Sequence, residues 1–300
     1  MNAPSTAYVY GVGRDDGSLA GVVGTASGVD GHGVRLVAAG GLVALVSAVP
    51  QAAFDEAALQ RRLEDLDLLE ELARAHHAVV DAAFARAVVL PFRLATVYRD
   101  EDRVAEVLGG HRERFTELLG WLDGHVELGV KVHADPESAA SLAGAAPQEP
   151  GGAAPAAGSG RAYLRQRMQR RRGTEDLYRA AGAVADEAAG VARQLARAAV
   201  VHRAQQGGLS GRQGVNIANH AYLVPADGEA RFREEVGAVA RSVPGVRVEV
   251  TGPWAPYSFA TPAPAPAPAS APASAPAPAP VSAPAPAPSG ATEGEGTVAR

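Results

Sequence analysis

His76-His77 and Asp81 are the grouping in this 300-residue chain whose residue types most invite a metal, because His77 and Asp81 stand four apart on one helix face. Adjacent histidines on a helix point about 100° apart, so only one of the pair can serve that ion. Two ligands do not close a site, and a helix surface near a domain junction is the simpler expectation for these histidines. Gly11-x-Gly13 suggests a phosphate loop. The dinucleotide pattern, however, needs a third glycine opening a helix, and Arg14-Asp15-Asp16-Gly17-Ser18 spells a turn. The loop from Gln205 to Gly214 lacks the Lys-Ser/Thr ending of a phosphate loop, and its Ser210 lacks the Gly-x-Ser-x-Gly frame of a hydrolase nucleophile. There is no cysteine, hence no thiolate and no disulfide, which fits a reducing compartment. No catalytic residue, metal or cofactor is expected from these residues.

What remains is the chemistry of contact. Residues 161–172 hold six arginines, Arg165, Arg167 and Arg171 among them, a density that can meet nucleic acid or an acidic partner. Tyr163, Leu164 and Met168 sit at helical spacing within that run. After Gly173 the apolar stripe resumes at Leu177, Ala181, Val184, Ala188, Val191, Leu195 and Ala199. A long helix with a solvated arginine face accounts for both facts. Aromatics are 5% of the chain, too few for base-stacking platforms. The net charge of −5 gives no general pull toward polyanions or acidic membranes. No apolar run reaches the ~20 residues of a membrane span. The first residues carry no basic region followed by an apolar stretch, so a soluble, intracellular protein is expected.

The elements that must position these residues follow from periodicity. Residues 7–11 read as a first strand, and residues 34–38 and 42–46 as a hairpin around Ala39-Gly40-Gly41. Asp55 caps a long helix with its stripe at Leu59, Leu63, Leu66, Leu69, Ala73, Val80, Phe84 and Ala87. Residues 88–98 are apolar and β-branched and read as a strand whose regular part begins after Pro91, with Arg93 facing solvent. A helix follows from Asp100 to Leu122, loosened at Gly109-Gly110, then an alternating strand at 126–132. Strand, helix and strand predict a parallel βαβ unit. Further strands are expected at 219–224 and 246–251, with a short helix through Phe232, Val236 and Val239 between them.

The whole reads as α+β in two domains followed by a tail. A small N-terminal α+β domain covers 1–87. A ferredoxin-like domain with an extra long helix covers 88–259 and carries a flexible insertion at 138–160. Residues 260–300 form a disordered Pro/Ala-rich tail. Trp254, Tyr257 and Phe259 are expected to fold back as anchors on the sheet or a helix edge.

Several stretches are familiar as well as legible. Leu90-Pro91-Phe92-Arg93 with Thr96-Val97, the strand Val126-Glu127-x-Gly129-Val130-Lys131-Val132, Asn219-His220-Ala221-Tyr222-Leu223-Val224, and above all Thr251-Gly252-Pro253-Trp254-Ala255-Pro256-Tyr257-Ser258-Phe259 resemble the gas vesicle protein GvpF/GvpL family. The resemblance runs from Tyr8 to Phe259. It implies a non-enzymatic accessory or minor structural component of gas vesicles in the cytoplasm. Such a protein would bind the small hydrophobic shell protein, keep it from aggregating during assembly, and associate with other accessory proteins. Arg165, Arg167, Arg171, Trp254 and Tyr257 are the candidate partner-binding residues, arginine and aromatic patches being common hot-spot chemistry. The competing expectation is a nucleic-acid or regulatory binding module using the basic 161–172 helix. No paired exposed aromatics of the kind that stack bases support that alternative.

Overall fold

Strand β1 (Ser5–Arg14) is buried at eight consecutive positions, so both of its faces are covered and the first sheet forms around it. The computed structural model describes residues 4–137, 160–204 and 214–260. Residues 138–159 of the insertion expected at 138–160, residues 261–300 of the tail expected at 260–300, and residues 205–213 of the expected loop lie outside the described residues. β1 pairs antiparallel with β3 (Leu42–Pro50), which pairs with β2 (Val34–Ala39). Gly40 and Gly41 both have positive φ, which lets a two-residue turn match the twist of the strands on either side.

After a short helix α1 (Gln51–Phe54), the long helix expected from Asp55 is two pieces, α2 (Glu56–Glu64) and α3 (Leu66–Phe84). Asp55 caps α2 by accepting from the Ala58 N–H. The break that the stripe did not reveal is Asp65, whose carboxylate accepts from the N–H groups of Asp67 and Leu68 and starts a new helix. A short acidic side chain that can bond neighbouring backbone competes with helix continuation. Leu72, Val79, Val80 and Ala83 of α3 then pack with Tyr8, Tyr10, Leu45 and Val49 on one face of the first sheet.

Residues 88–98 do not join a parallel βαβ unit. Leu90–Pro91 (β4) and Val97–Tyr98 (β5) both pair antiparallel with β1, completing the first sheet in the order β2-β3-β1-β4 with β5 also on β1. Two short pairings flanking an irregular stretch leave too little ladder to be told from the sequence apart from its neighbours. α4 (Glu101–Gly110) and α5 (Arg112–Leu122) break at His111, next to the expected glycine pair, and cover the second face of this sheet.

The second sheet is β6 (His125–Ala134), β7 (Ala198–His202), β8 (Val215–Pro225) and β9 (Val246–Trp254), with every neighbouring pair antiparallel and the order β7-β8-β6-β9. Its helices are α6 (Gly160–Leu195) and α7 (Glu229–Ala238), so the element order from β6 onward is βαββαβ, the split βαβ arrangement. The stripe of α6 ends at Leu195. Ala199, which fits that stripe, instead lies in β7, whose pairing with β8 decides its conformation. β9 is an edge strand and so tolerates Pro253.

α6 and α7 cover one face of the second sheet, through Val126, Leu128, Tyr222, Val224, Phe232 and Val236. The other face contributes Ala221 and Leu223 to the same apolar cluster as Val9, Val12, Leu108 and Leu119, so both sheets share buried surface across α4 and α5. Gly182 lies within α6 with open space where a Cβ would stand. Gly182→Ala is expected to stabilise the fold by about 0.5–1 kcal/mol through backbone entropy. The check is a higher urea midpoint at unchanged slope.

Candidate partner-binding site

Two of the stretches singled out in the sequence meet in space. The first is the irregular bulge between β4 and β5. Phe92 donates its N–H to Tyr10 O (2.8 Å), and Val9 donates to Thr96 O (2.9 Å). The chain between them turns through Ala95 at φ 62°, a conformation uncommon for alanine. What holds it is buried in the first sheet. The Tyr8 hydroxyl accepts from the Ala95 N–H (3.0 Å) and bonds His76 Nδ1 (3.0 Å), while His76 Nε2 meets the Phe92 carbonyl (3.2 Å). Nε2 must therefore carry the proton and Nδ1 accept from Tyr8.

His76 is fully buried, not on a helix surface, because this network and the rings of Tyr8 and Tyr10 enclose it. Burial, with neighbouring His77, lowers its pKa to about 4. Burial likewise pushes the Tyr8 hydroxyl well above its ordinary value. The apolar periodicity of α3 gave no sign that a histidine would occupy its core face. The signal was the pair of tyrosines, Tyr8 and Tyr10, in the first strand, since a buried phenol needs a partner.

The second stretch is 252–260, which crosses from the second sheet to the first. Arg233 on α7 donates to Val250 O (3.0 Å) and Gly252 O (2.6 Å), fixing the end of β9. Glu127 on β6 accepts from the Ser258 N–H (2.8 Å) and Oγ (2.6 Å), and His202 Nε2 lies 3.0 Å from the same Oγ. Burial raises the Glu127 pKa, and the two bonds from Ser258 oppose that shift. Serine, histidine and carboxylate here are a clasp. The hydroxyl donates its hydrogen bond straight to the carboxylate, and the imidazole does not stand between them as base catalysis requires. Ala255 packs in the core on the α3 side of the first sheet, and Phe259 in the cluster shared by both sheets, its ring 6.0 Å from that of Trp121. Arg233, Glu127 and His202 were not among the expected site residues, since their role exists only through pairing across the fold.

Between the bulge, the last turn and α4–α5 lies a groove of about 450 Å³. Its floor is Leu90, Phe92, Val107, Phe115, Leu118 and Tyr257, and its rim Arg93, Arg103, His111 and Arg114. Arg103 pairs with Glu106 at 2.9 Å. Arg93 and Arg114 are exposed and make no ion pair among the described residues. The site combines apolar floor with cationic edge.

The candidate residues named from the sequence divide among separate places. Tyr257 lines the groove, its ring 5.2 Å from that of His77. Trp254 is 50% exposed at the end of β9, opposite Glu127. Arg167 and Arg171 are exposed on the N-terminal half of α6, Arg171 bonded to Glu175 (2.9 Å), and the side chain of Arg165 lies outside the described residues. Val246 at the start of β9 packs with Leu177, whereas Trp254 closes the strand. Eight strand residues at ~3.3 Å each separate these ends by roughly 26 Å. Trp254 and the basic helix face therefore do not form one patch. Among the described residues no three His, Asp or Glu side chains gather as a metal site, and no helix is long and apolar enough to cross a membrane.

Two antiparallel sheets clasped by a C-terminal segment define a fold shared with gas vesicle proteins of the F type. The crystal structure of GvpF from Anabaena sp. PCC7120 matches with a TM-score of 0.58 at 18% identity, over 86% of this chain and 96% of that one. GvpF from Microcystis aeruginosa matches at 0.54 and 19%, over 85% and 99%. This chain belongs to the gas vesicle synthesis protein GvpL/GvpF family, whose model matches residues 6–261. Among curated relatives, gas vesicle protein L of Streptomyces sp. (strain CB03234) is 45% identical over 87% of this chain and 94% of its own length. Gas vesicle protein F of the same strain is 30% identical over 84% and 98%.

Proposed function

We propose that this protein serves gas vesicle assembly by holding the hydrophobic shell protein in the groove beside Phe92 and Tyr257, shielding it from aggregation until it is built into the vesicle. The observation that carries this reading is the groove itself. Two stretches singled out in the sequence, together with α4 and α5, build an apolar floor, and arginines edge it. An amphipathic shell subunit offers apolar and charged surface together, and a half-open groove of this size takes one face of such a segment. The clasp at Glu127 and the bulge pinned by His76 preorganise the site, which lowers the ordering cost of binding. Other accessory proteins of the vesicle are further partners, and the vesicle and its surrounding cytoplasm are the place of action.

The test is co-expression with the shell protein followed by capture on the tagged full chain. Arg93→Glu with Arg114→Glu is expected to cut captured shell protein at least tenfold while the chain keeps its melting temperature. Equal capture by that variant would remove the groove as the contact. A second arm, charge reversal at Arg167 and Arg171, reports whether the basic helix face takes part.

A further inference from the structure

The break at Asp65 leaves a knuckle of leucines in solvent. Leu66 is 79% exposed, and Leu63 and Leu68 are 43% and 39% exposed. Between residues 61 and 74 the chain carries five carboxylates, Glu64, Asp65, Asp67, Glu70 and Glu71, against three arginines, of which Arg62 is taken up by Asp30 and Arg74 by Glu70. Exposed apolar side chains gathered at one spot mark a contact surface. This one has the inverse character of the groove: apolar with acidic flanks, against apolar with basic edges.

No chain can place its own knuckle in its own groove. α3 packs on the Tyr8 and Tyr10 face of the first sheet, and α4–α5, which line the groove, pack on the opposite face. The sheet stands between the two surfaces. We propose that the knuckle of one copy docks in the groove of a second copy, Leu66 against Phe92 and Phe115, with Glu64 and Asp67 meeting Arg93 and Arg114. Such a contact uses two different surfaces and is head-to-tail, so each added copy still offers a groove at one end and a knuckle at the other. Association then grows with concentration and weakens with salt, which screens the exposed charge pairs. That this contact covers the groove until the shell protein displaces it rests on the function proposed above. The contact itself rests on the match of charge and apolar surface.

Sedimentation of the full chain at low ionic strength, over a hundredfold range of concentration, tests it. The wild type is expected to gain apparent mass with concentration. Glu64→Arg with Asp67→Arg, and separately Arg93→Glu with Arg114→Glu, are each expected to move that rise at least tenfold higher in concentration. An equal mixture of the two variants restores it, because an acidic groove now meets a basic knuckle. Monomer mass throughout, a rise that either variant retains, or a mixture without recovery would overturn the proposal. Shell-protein capture on the same two variants keeps the readings apart. A monomeric wild type whose groove variant loses capture sinks only the self-contact, and self-association with capture unmoved in the groove variant sinks only the shell reading.

Discussion

Taking the protein from pH 7 to pH 5 is expected to cost it about 2 kcal/mol of stability through His76 alone. The folded pKa of this histidine is about 4 against an ordinary 6.5. The unfolded chain therefore takes up a proton between those values that the folded chain refuses. Stability is complete above pH 6.5 and falls as pH drops toward 4, at up to about 1.4 kcal/mol per pH unit. Glu127 acts in the other direction. Its raised pKa lets the folded state hold a proton that the unfolded state has released, so acid favours the fold through that group's own window. The wild-type curve is the sum of the two. Urea titrations at pH 7, 6 and 5 on the wild type and His76→Gln separate them, since glutamine removes the titration while leaving a donor and an acceptor. The variant is expected to be less stable at pH 7 and to lose about 2 kcal/mol less on acidification. Equal losses in both proteins would show that His76 is not the group that titrates.

Gly252→Ala is expected to destabilise the protein by about 3 kcal/mol, the largest effect of any single methyl group considered for this chain. Gly252 has φ of 104°, which L side chains rarely adopt, and a Cβ there would stand 2.7 Å from the Glu127 carbonyl oxygen and 3.1 Å from the Trp254 ring. Neither the backbone strain nor the overlap is relieved by turning a flexible side chain. The same atoms seat the clasp: Arg233 holds the Gly252 carbonyl, and Glu127 holds Ser258. Displacing Gly252 therefore also disturbs Trp254, whose fluorescence reports the change alongside the melt. Gly182→Ala, with open space around it, is the control that moves stability the other way. A Gly252→Ala protein that melts within a degree of the wild type would mean that this strand end is looser than its bonds require.

The sequence by itself settled the kinds of most elements and several of their ends. Asp55 as a helix cap, the acidic helix start at Asp100, the Gly40-Gly41 hairpin, and the alternation in β6 are local facts, because an acceptor three residues before an N–H or a glycine at positive φ acts within one turn of chain. The stretches ending in Gly-Pro-Trp-x-Pro-Tyr-Ser-Phe carried the family for the same reason: they are contiguous. Partnership was decided only in three dimensions. Apolar periodicity tells which side of an element is buried and is silent on what buries it. Residues 88–98 could therefore be read as one strand of the second sheet when they make two short pairings with β1 on either side of a turn, and Ala199 could fit a helical stripe and still lie in β7. His76 entered the core because a phenol from β1 and a carbonyl from residue 92 reached it together, a bond spanning 68 residues in one direction and 16 in the other. The groove follows from these pairings, since its floor and its rim come from segments that touch only once both sheets have closed around α4 and α5.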